Sequence, residues 1–333
     1  MIVYPMVLIL SRLDVQIVLN IRDSINVVEE AFKELALGNI WMPPRQSTNI
    51  EEYEGWVGIM PGYIRGMNAM GTKIVTEFRR NSIQYNLPTI MATIIVNDPK
   101  TGAPIAIMDG STITAMRTGA AGGVAAKHLS REDSHIVGIF GAGVQSRTQL
   151  SALCEIRPIL KARIYDVMGK QVNGYVKEMS KKMGIDIKIC DNPEDVVSGS
   201  DVIITASTSN NPVFKAEWLE EGTHINAVGA HSPNTREIDT ETVRSSKFVV
   251  DSLETANKEA GEFIIPLSEN AITKNHIYGE IGEIIAGIKP GRVSKSERTI
   301  FKTCGLSIQD VSTARLVYTK AKEAGIGREV EIF

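Results

Sequence analysis

Two hydrophobic rhythms divide this chain of 333 residues. From about residue 130 onward, short apolar runs alternate with helix-compatible stretches. Residues 135–140, 162–166, 186–190, 201–206, 224–228, 248–251 and 299–303 read as strands, with helical segments between most of them. Apolar runs of this kind are buried on both faces, as in a parallel sheet covered by helices. The pattern predicts an α/β fold with a doubly wound parallel sheet and right-handed crossovers.

The first third has a different rhythm. Leu8 to Leu10 reads as a strand, and Asp23 or Ser24 can cap a helix whose apolar positions Ile25, Val28, Ala31, Phe32 and Leu35 recur at helical spacing up to Gly38. Trp41-Met42-Pro43-Pro44-Arg45 is an extended connection, because each proline disfavours helix at and before its own position. Strand-like runs follow at 55–60, 69–77 and 89–97, and the turn Asp98-Pro99-Lys100-Thr101-Gly102 precedes another at 104–108. Small residues at 111–129 predict a long helix leading into the alternating part, and 307–324 predicts an amphipathic helix that packs back on the first part. The expected division is a mixed α+β domain of 1–122, completed by 307–333, and a parallel-sheet domain of 123–306.

Composition narrows the function classes. With 43% hydrophobic and 23% charged residues the chain is ordinary globular material, and a net charge of −3 with scattered Lys and Arg gives no footprint for nucleic acid or a membrane surface. Cys154, Cys190 and Cys304 are odd in number and lack Cys-x-x-Cys spacing, which argues against a disulfide framework or zinc site and fits a reducing cytoplasm; no metal is expected. The apolar patch Met6 to Leu10 is too short for a membrane span and has no basic flank of a signal peptide.

The run Ile136 to Phe140 leads into Gly141-Ala142-Gly143-Val144-Gln145-Ser146 and then a helical segment. This is a dinucleotide site in outline: the first glycine permits the tight turn, the second lets backbone N–H groups approach a pyrophosphate, and a small residue at the third position allows close packing. About twenty residues on, a second strand ends in Asp166, the kind of acid that accepts from the ribose 2′-OH of NAD and repels the 2′-phosphate of NADP. The cofactor expected is NAD, although Lys170 stands close to that acid. Arg45, Lys73 and Arg117 fall at punctuated points near predicted element ends, where together they can clamp a carboxylate; each taken alone reads better as a surface or structural ion-pair residue. Burial beside two arginines would lower the pKa of Lys73 toward neutrality and suit it to proton transfer.

Met70-Gly71-Thr72-Lys73-Ile74-Val75, Leu87-Pro88-Thr89, the Asp98 to Pro104 turn, Met116-Arg117-Thr118-Gly119-Ala120-Ala121, Gly141 to Ser146, and Asn226-Ala227-Val228-Gly229-Ala230-His231 with Glu237 and Asp239 stand in that order. Together they resemble the ornithine cyclodeaminase and mu-crystallin family, which includes archaeal alanine dehydrogenases and several imine reductases. The resemblance implies a homodimer, a Rossmann domain for a nicotinamide cofactor, and an N-terminal domain that dimerises and helps bind substrate. It further implies that Arg45, Lys73 and Arg117 hold the substrate carboxylate, that Arg117 also lies against the cofactor, and that Lys73 is the catalytic proton carrier. Gly141, Ala142, Gly143, Val144, Gln145 and Ser146 would cradle the pyrophosphate, and Asp166 would take the adenosine ribose. Thr208, Val228 and Gly229 would line the path to nicotinamide, with Thr89 and Thr303 near its end; for each threonine a cap or turn role is the other reading.

The activity implied is NAD(H)-dependent oxidoreduction of the C–N bond of a small amino or imino acid. Ornithine cyclodeamination to proline and ammonia, and non-catalytic binding of nucleotide and a small carboxylate, are the alternatives. Two departures from the cyclodeaminase pattern weigh against the first of these. Ala230-His231 stands where those enzymes carry an Asp, and Gly58, ahead of Ile59-Met60-Pro61, stands where they carry a Glu for the substrate side chain. His231 reads as a general acid or as a turn residue, with the turn favoured.

Overall fold

The computed structural model describes residues 6–169 and 171–332, which form two compact units: one runs up to Arg117 and resumes from Leu306, the other is Thr118–Gly305. The first unit carries β1 (Met6–Leu10), β2 (Ile40–Trp41), β3 (Gln46–Ile50), β4 (Gly55–Ile64), β5 (Ala69–Phe78), β6 (Ile90–Asn97) and β7 (Pro104–Asp109). From the C-terminal strand Arg328–Glu331 the sheet runs through β1, β7, β6, β5 and β4 to β2, with β3 also on β4. The β1–β7 pair is parallel and the other pairs are antiparallel. One face of β4–β6 is buried, through Met60, Ile64, Lys73, Val75, Ala92, Ile94 and Val96. The amphipathic helix Ser307–Glu323 packs across it, beside the helix Ile21–Ala36. Close approach needs a glycine in β4: a Cβ on Gly62 would come within 2.9 Å of Ser307 Oγ. The amphipathic pattern did not mark β3, and its first four residues are exposed, so they alternate nothing.

The second unit contains β8 (Ile136–Phe140), β9 (Lys161–Tyr165), β10 (Asp186–Ile189), β11 (Val202–Thr205), β12 (His224–Ala227), β13 (Lys247–Val250), β14 (Ile277–Glu280) and β15 (Thr299–Lys302). Their order is β10-β9-β8-β11-β12-β15-β13-β14, and every pair is parallel. Alternate residues of β8 and β11 enter two separate cores, Phe140 and Ile203 in one, Val137, Ile139, Val202 and Ile204 in the other. Burial on both faces is why these strands read as continuous apolar runs. The fold is a Rossmann-type α/β sheet plus a mixed sheet with helices. The apolar pattern missed β14, whose Tyr278, Gly279 and Glu280 carry no apolar run, and gave no sign that β15 inserts between β12 and β13.

A buried polar chain ties strand β12 to two helices. His224 Nε2 lies 3.0 Å from Asn226 Oδ1; Asn226 Nδ2 donates to Gly122 O at 3.2 Å and Gln149 Oε1 at 3.1 Å; Gln149 Nε2 donates to Thr118 O at 2.8 Å. Burial, then the charge of Arg292, pushes His224 down to about 3, so this histidine is neutral and structural. Among the described residues no helix is long and apolar enough to cross a membrane.

Candidate active site

Lys73 stands in the middle of β5 with its side chain on the buried face, 2% exposed, and its Nζ lies 2.6 Å from Asp310 Oδ2. Arg117, within the helix Gly110–Leu129, donates from Nε to Asp310 Oδ1 at 3.0 Å and from Nη1 to Gln309 Oε1 at 2.9 Å. The expectation that these two cations sit near element ends is corrected: strand and helix both run well past them. One fully buried carboxylate therefore holds two cations, leaving the trio with one net positive charge when both are protonated. Arg45, immediately ahead of β3, has its guanidinium carbon 5.9 Å from the Trp56 ring centroid. Burial lowers Lys73 to about 8, Asp310 opposes that shift, and the charges of Arg117 and Arg45 add to it. So the structure gathers all three expected cations electrostatically, and adds a carboxylate that sequence reasoning missed. Asp310 escapes notice because it lies in the first turn of an amphipathic helix, beside the polar Gln309, where an acid reads as solvated or as a helix-start residue.

In the second unit the Gly141–Ser146 turn lies at the carboxyl end of β8, where the strand order reverses toward β11. Gly141 has φ +98, and a Cβ there would meet Ala206 O at 2.5 Å. Nothing lies within 4 Å of the Cβ position of Gly143, which begins the helix Val144–Ile156 without a side-chain cap. Open space before uncapped helical N–H groups fits a pyrophosphate. Val144 is exposed and Gln145 half-buried, while the Ser146 hydroxyl donates to Gly143 O at 3.0 Å. Asp166 follows β9 directly, accepting from Ala142 N at 2.7 Å through Oδ2 and from Met168 N at 2.7 Å through Oδ1. Arg147, which sequence reasoning passed over, donates to Ala142 O and Gly143 O at 2.5 and 2.9 Å and packs over Tyr175. It holds the loop's carbonyls inward.

The loops after β11 and β12 are joined by one buried acid. Glu237 accepts from Ser207 N and Oγ at 2.7 and 2.6 Å, and from Gly229 N at 2.7 Å. Burial raises its pKa, with those hydrogen bonds opposing. Thr208 is exposed on the first loop; Val228 and Gly229 donate to Thr205 O at 2.9 and 3.1 Å. Thr303, after β15, donates its hydroxyl to Asp251 at 2.8 Å. Thr89 belongs to the other unit, where its carbonyl accepts from Phe78 N at 2.8 Å. His231 is exposed, its Nδ1 3.2 Å from Gly229 O, as a turn residue would be.

A family model for the ornithine cyclodeaminase/mu-crystallin family matches residues 6–325. The chain belongs to that family. Alanine dehydrogenase of Archaeoglobus fulgidus is 41% identical over 326 residues, 98% of each chain. The Thermococcus litoralis Δ1-pyrroline-2-carboxylate reductase, solved with NADH and L-proline, superposes with TM-score 0.94 at 47% identity, covering 97% of this chain and 100% of that one. An archaeal alanine dehydrogenase dimer with bound NAD superposes with TM-score 0.93 at 40% identity, covering 98% and 100%.

For this family member a first prediction concerns the acid after β9. If Asp166 takes the adenosine ribose, Asp166→Ser is expected to weaken NAD binding and narrow the gap to NADP, since both a ribose acceptor and a charge opposing a 2′-phosphate would be lost. Fluorescence titration with each cofactor measures this, and equal affinity of the unmutated protein for both would remove the basis for the assignment.

Proposed function

We propose that this protein is an NAD(H)-dependent reductase of small α-imino acids, with a cyclic imine of the pyrroline-2-carboxylate type as its substrate and oxidation of the matching amino acid as the reverse reaction. The observation that carries the reading is the buried Lys73–Asp310–Arg117 cluster: it lacks one negative charge, and a substrate carboxylate supplies it. The Gly141–Ser146 turn and Asp166 would hold the dinucleotide, and its nicotinamide would supply the hydride for this reduction. Arg117 and Arg45 hold the carboxylate, which fixes the imine carbon in place. Lys73 Nζ delivers a proton to the imine nitrogen as C=N becomes C–NH, and takes it back in the oxidative direction. With a pKa near 8, both forms of Lys73 are accessible around neutrality.

Partner and compartment follow in the same reading. The outer face of the first sheet exposes Ile59, Ile74 and Met91, with Ile59 directly opposite Ile74 across the β4–β5 pair. A second copy of this chain covers that face, and the archaeal relative solved as a dimer supports it. Three free cysteines, Cys154 and Cys190 with thiols raised by burial, suit a reducing cytoplasm.

The test is nicotinamide absorbance with NADH and a panel of cyclic imines, with pyruvate plus ammonia, and with ornithine plus NAD. We expect net NADH oxidation with the cyclic imine and little proline from ornithine. Efficient release of ammonia and proline from ornithine, with NAD unchanged overall, would establish cyclodeamination instead. No change with any substrate, but saturable binding, would mark a binding protein.

A further inference from the structure

On the face of the first sheet that carries Lys73, β4, β5 and β6 align their residues in rows, buried at Lys73 and opening toward Ile90. Met60, Lys73 and Ile94 make one row; Gly58, Val75 and Ala92 make the next; Trp56, Glu77 and Ile90 make the third. In the middle row the glycine leaves room that its neighbour fills: a Cβ on Gly58 would lie 2.3 Å from Trp56 Cη2, 2.9 Å from Cζ2 and 3.0 Å from Cζ3. The six-membered edge of the indole thus rests on Gly58, and the ring packs on Met60, Val75 and Ala92. Arg45 lies over the same ring.

We propose that Trp56, seated on Gly58, is the specificity-determining residue of the site, closing the row beside Lys73 to side chains that end in an amine and offering an aromatic wall to an uncharged ring or short chain. This rests on the reading that the substrate carboxylate binds at Lys73. The surroundings of the indole explain the discrimination. Asp310 is already bound by Lys73 and Arg117, and Glu77 stands in Trp56's own row, two rows from Lys73, with Arg79 Nε at 3.6 Å. A terminal ammonium entering the middle row would be desolvated against the indole and the side chains of Val75 and Ala92, and Glu77, one row away, is shared with Arg79. Attraction to the ring face does not rescue it, because the Arg45 charge is already there.

Calorimetric titration of L-proline and L-ornithine into the full-length protein tests this, and reads binding whether or not hydride moves. Failure of the unmutated protein to reduce any imine would sink the proposed reaction while leaving this comparison decisive. We expect the unmutated protein to prefer proline, Trp56→Ala to weaken proline by about tenfold, and Trp56→Phe, which keeps an aromatic wall and the fold, to retain the preference. Gly58→Glu alone should weaken proline and gain no ornithine affinity, since the new side chain and the indole need the same space. The double variant Trp56→Ala/Gly58→Glu should bind ornithine roughly tenfold or more tightly than the unmutated protein, the scale of one charge-assisted contact. Ornithine binding by Gly58→Glu alone that matches the double variant would overturn the proposal. So would Trp56→Ala, with an unchanged melting temperature, leaving both affinities within about threefold of the starting values.

Discussion

Asp310→Asn is expected to lower the unfolding free energy by about 3–5 kcal/mol, the cost of leaving buried cations without their counter-charge. Lys73 and Arg117 are 2% and 6% exposed and both bind this one carboxylate, at 2.6 and 3.0 Å. The amide keeps the shape of the side chain, so the deficit is electrostatic and not a packing defect. Lys73 responds by giving up its proton, because Asp310 is what holds its pKa up to about 8 against burial and against Arg117 and Arg45. The sign of the pH dependence follows. A lysine whose folded pKa lies below its unfolded value disfavours the folded state at low pH, and this penalty fades as pH rises through the two values. Asp310→Asn pushes the folded pKa lower still, so its deficit should be larger at about pH 6 than at about pH 9. Urea denaturation at the two pH values measures both, and a variant as stable as the unmutated protein at neutral pH would mean that Asp310 is not the counter-charge of the cluster.

The parallel-sheet unit was legible because its chemistry is local. Ile136 to Phe140, the glycine turn and Asp166 stand close in sequence, and the structure joins them with the 2.7 Å bond from Ala142 N to Asp166. What the pattern could not carry is pairing between distant segments. The Arg117–Asp310 contact spans 193 residues, and no periodicity marks it. β15 enters the sheet between β12 and β13, an order that hydrophobic runs do not encode. The lowered pKa of Lys73 was expected from burial beside two arginines, and burial is its largest cause; the opposing Asp310 appears only once the C-terminal helix lies over β5. Trp56 and Gly58 were half legible: two residues apart on a strand they share a face, but the direction of the indole along that face is a matter of packing.

Lys73→Met should lower kcat for imine reduction by roughly 10²–10⁴-fold, the range of a positioned proton donor. Methionine keeps much of the stem's bulk and leaves Asp310 paired with Arg117 at 3.0 Å, so the variant folds with one buried ion pair in place of a shared one. The contrast with Arg45→Ala separates chemistry from binding. Arg45 is half-buried; if, as proposed, it binds the carboxylate in ground and transition states alike, its loss should mainly raise KM, by roughly ten- to a hundredfold. The pH profile supplies a readout that a merely structural lysine would not move. If Lys73 Nζ is the proton carrier proposed, kcat/KM for reduction should be level below about 8 and fall above it, and the rate of oxidation, which would need the neutral amine, should climb through the same value. Both limbs should vanish in Lys73→Met, because no group remains at that position to titrate. If the variant binds NADH, turns over within about threefold of the unmutated enzyme and keeps both limbs, the titrating group lies elsewhere and Lys73 serves only as the buried partner of Asp310.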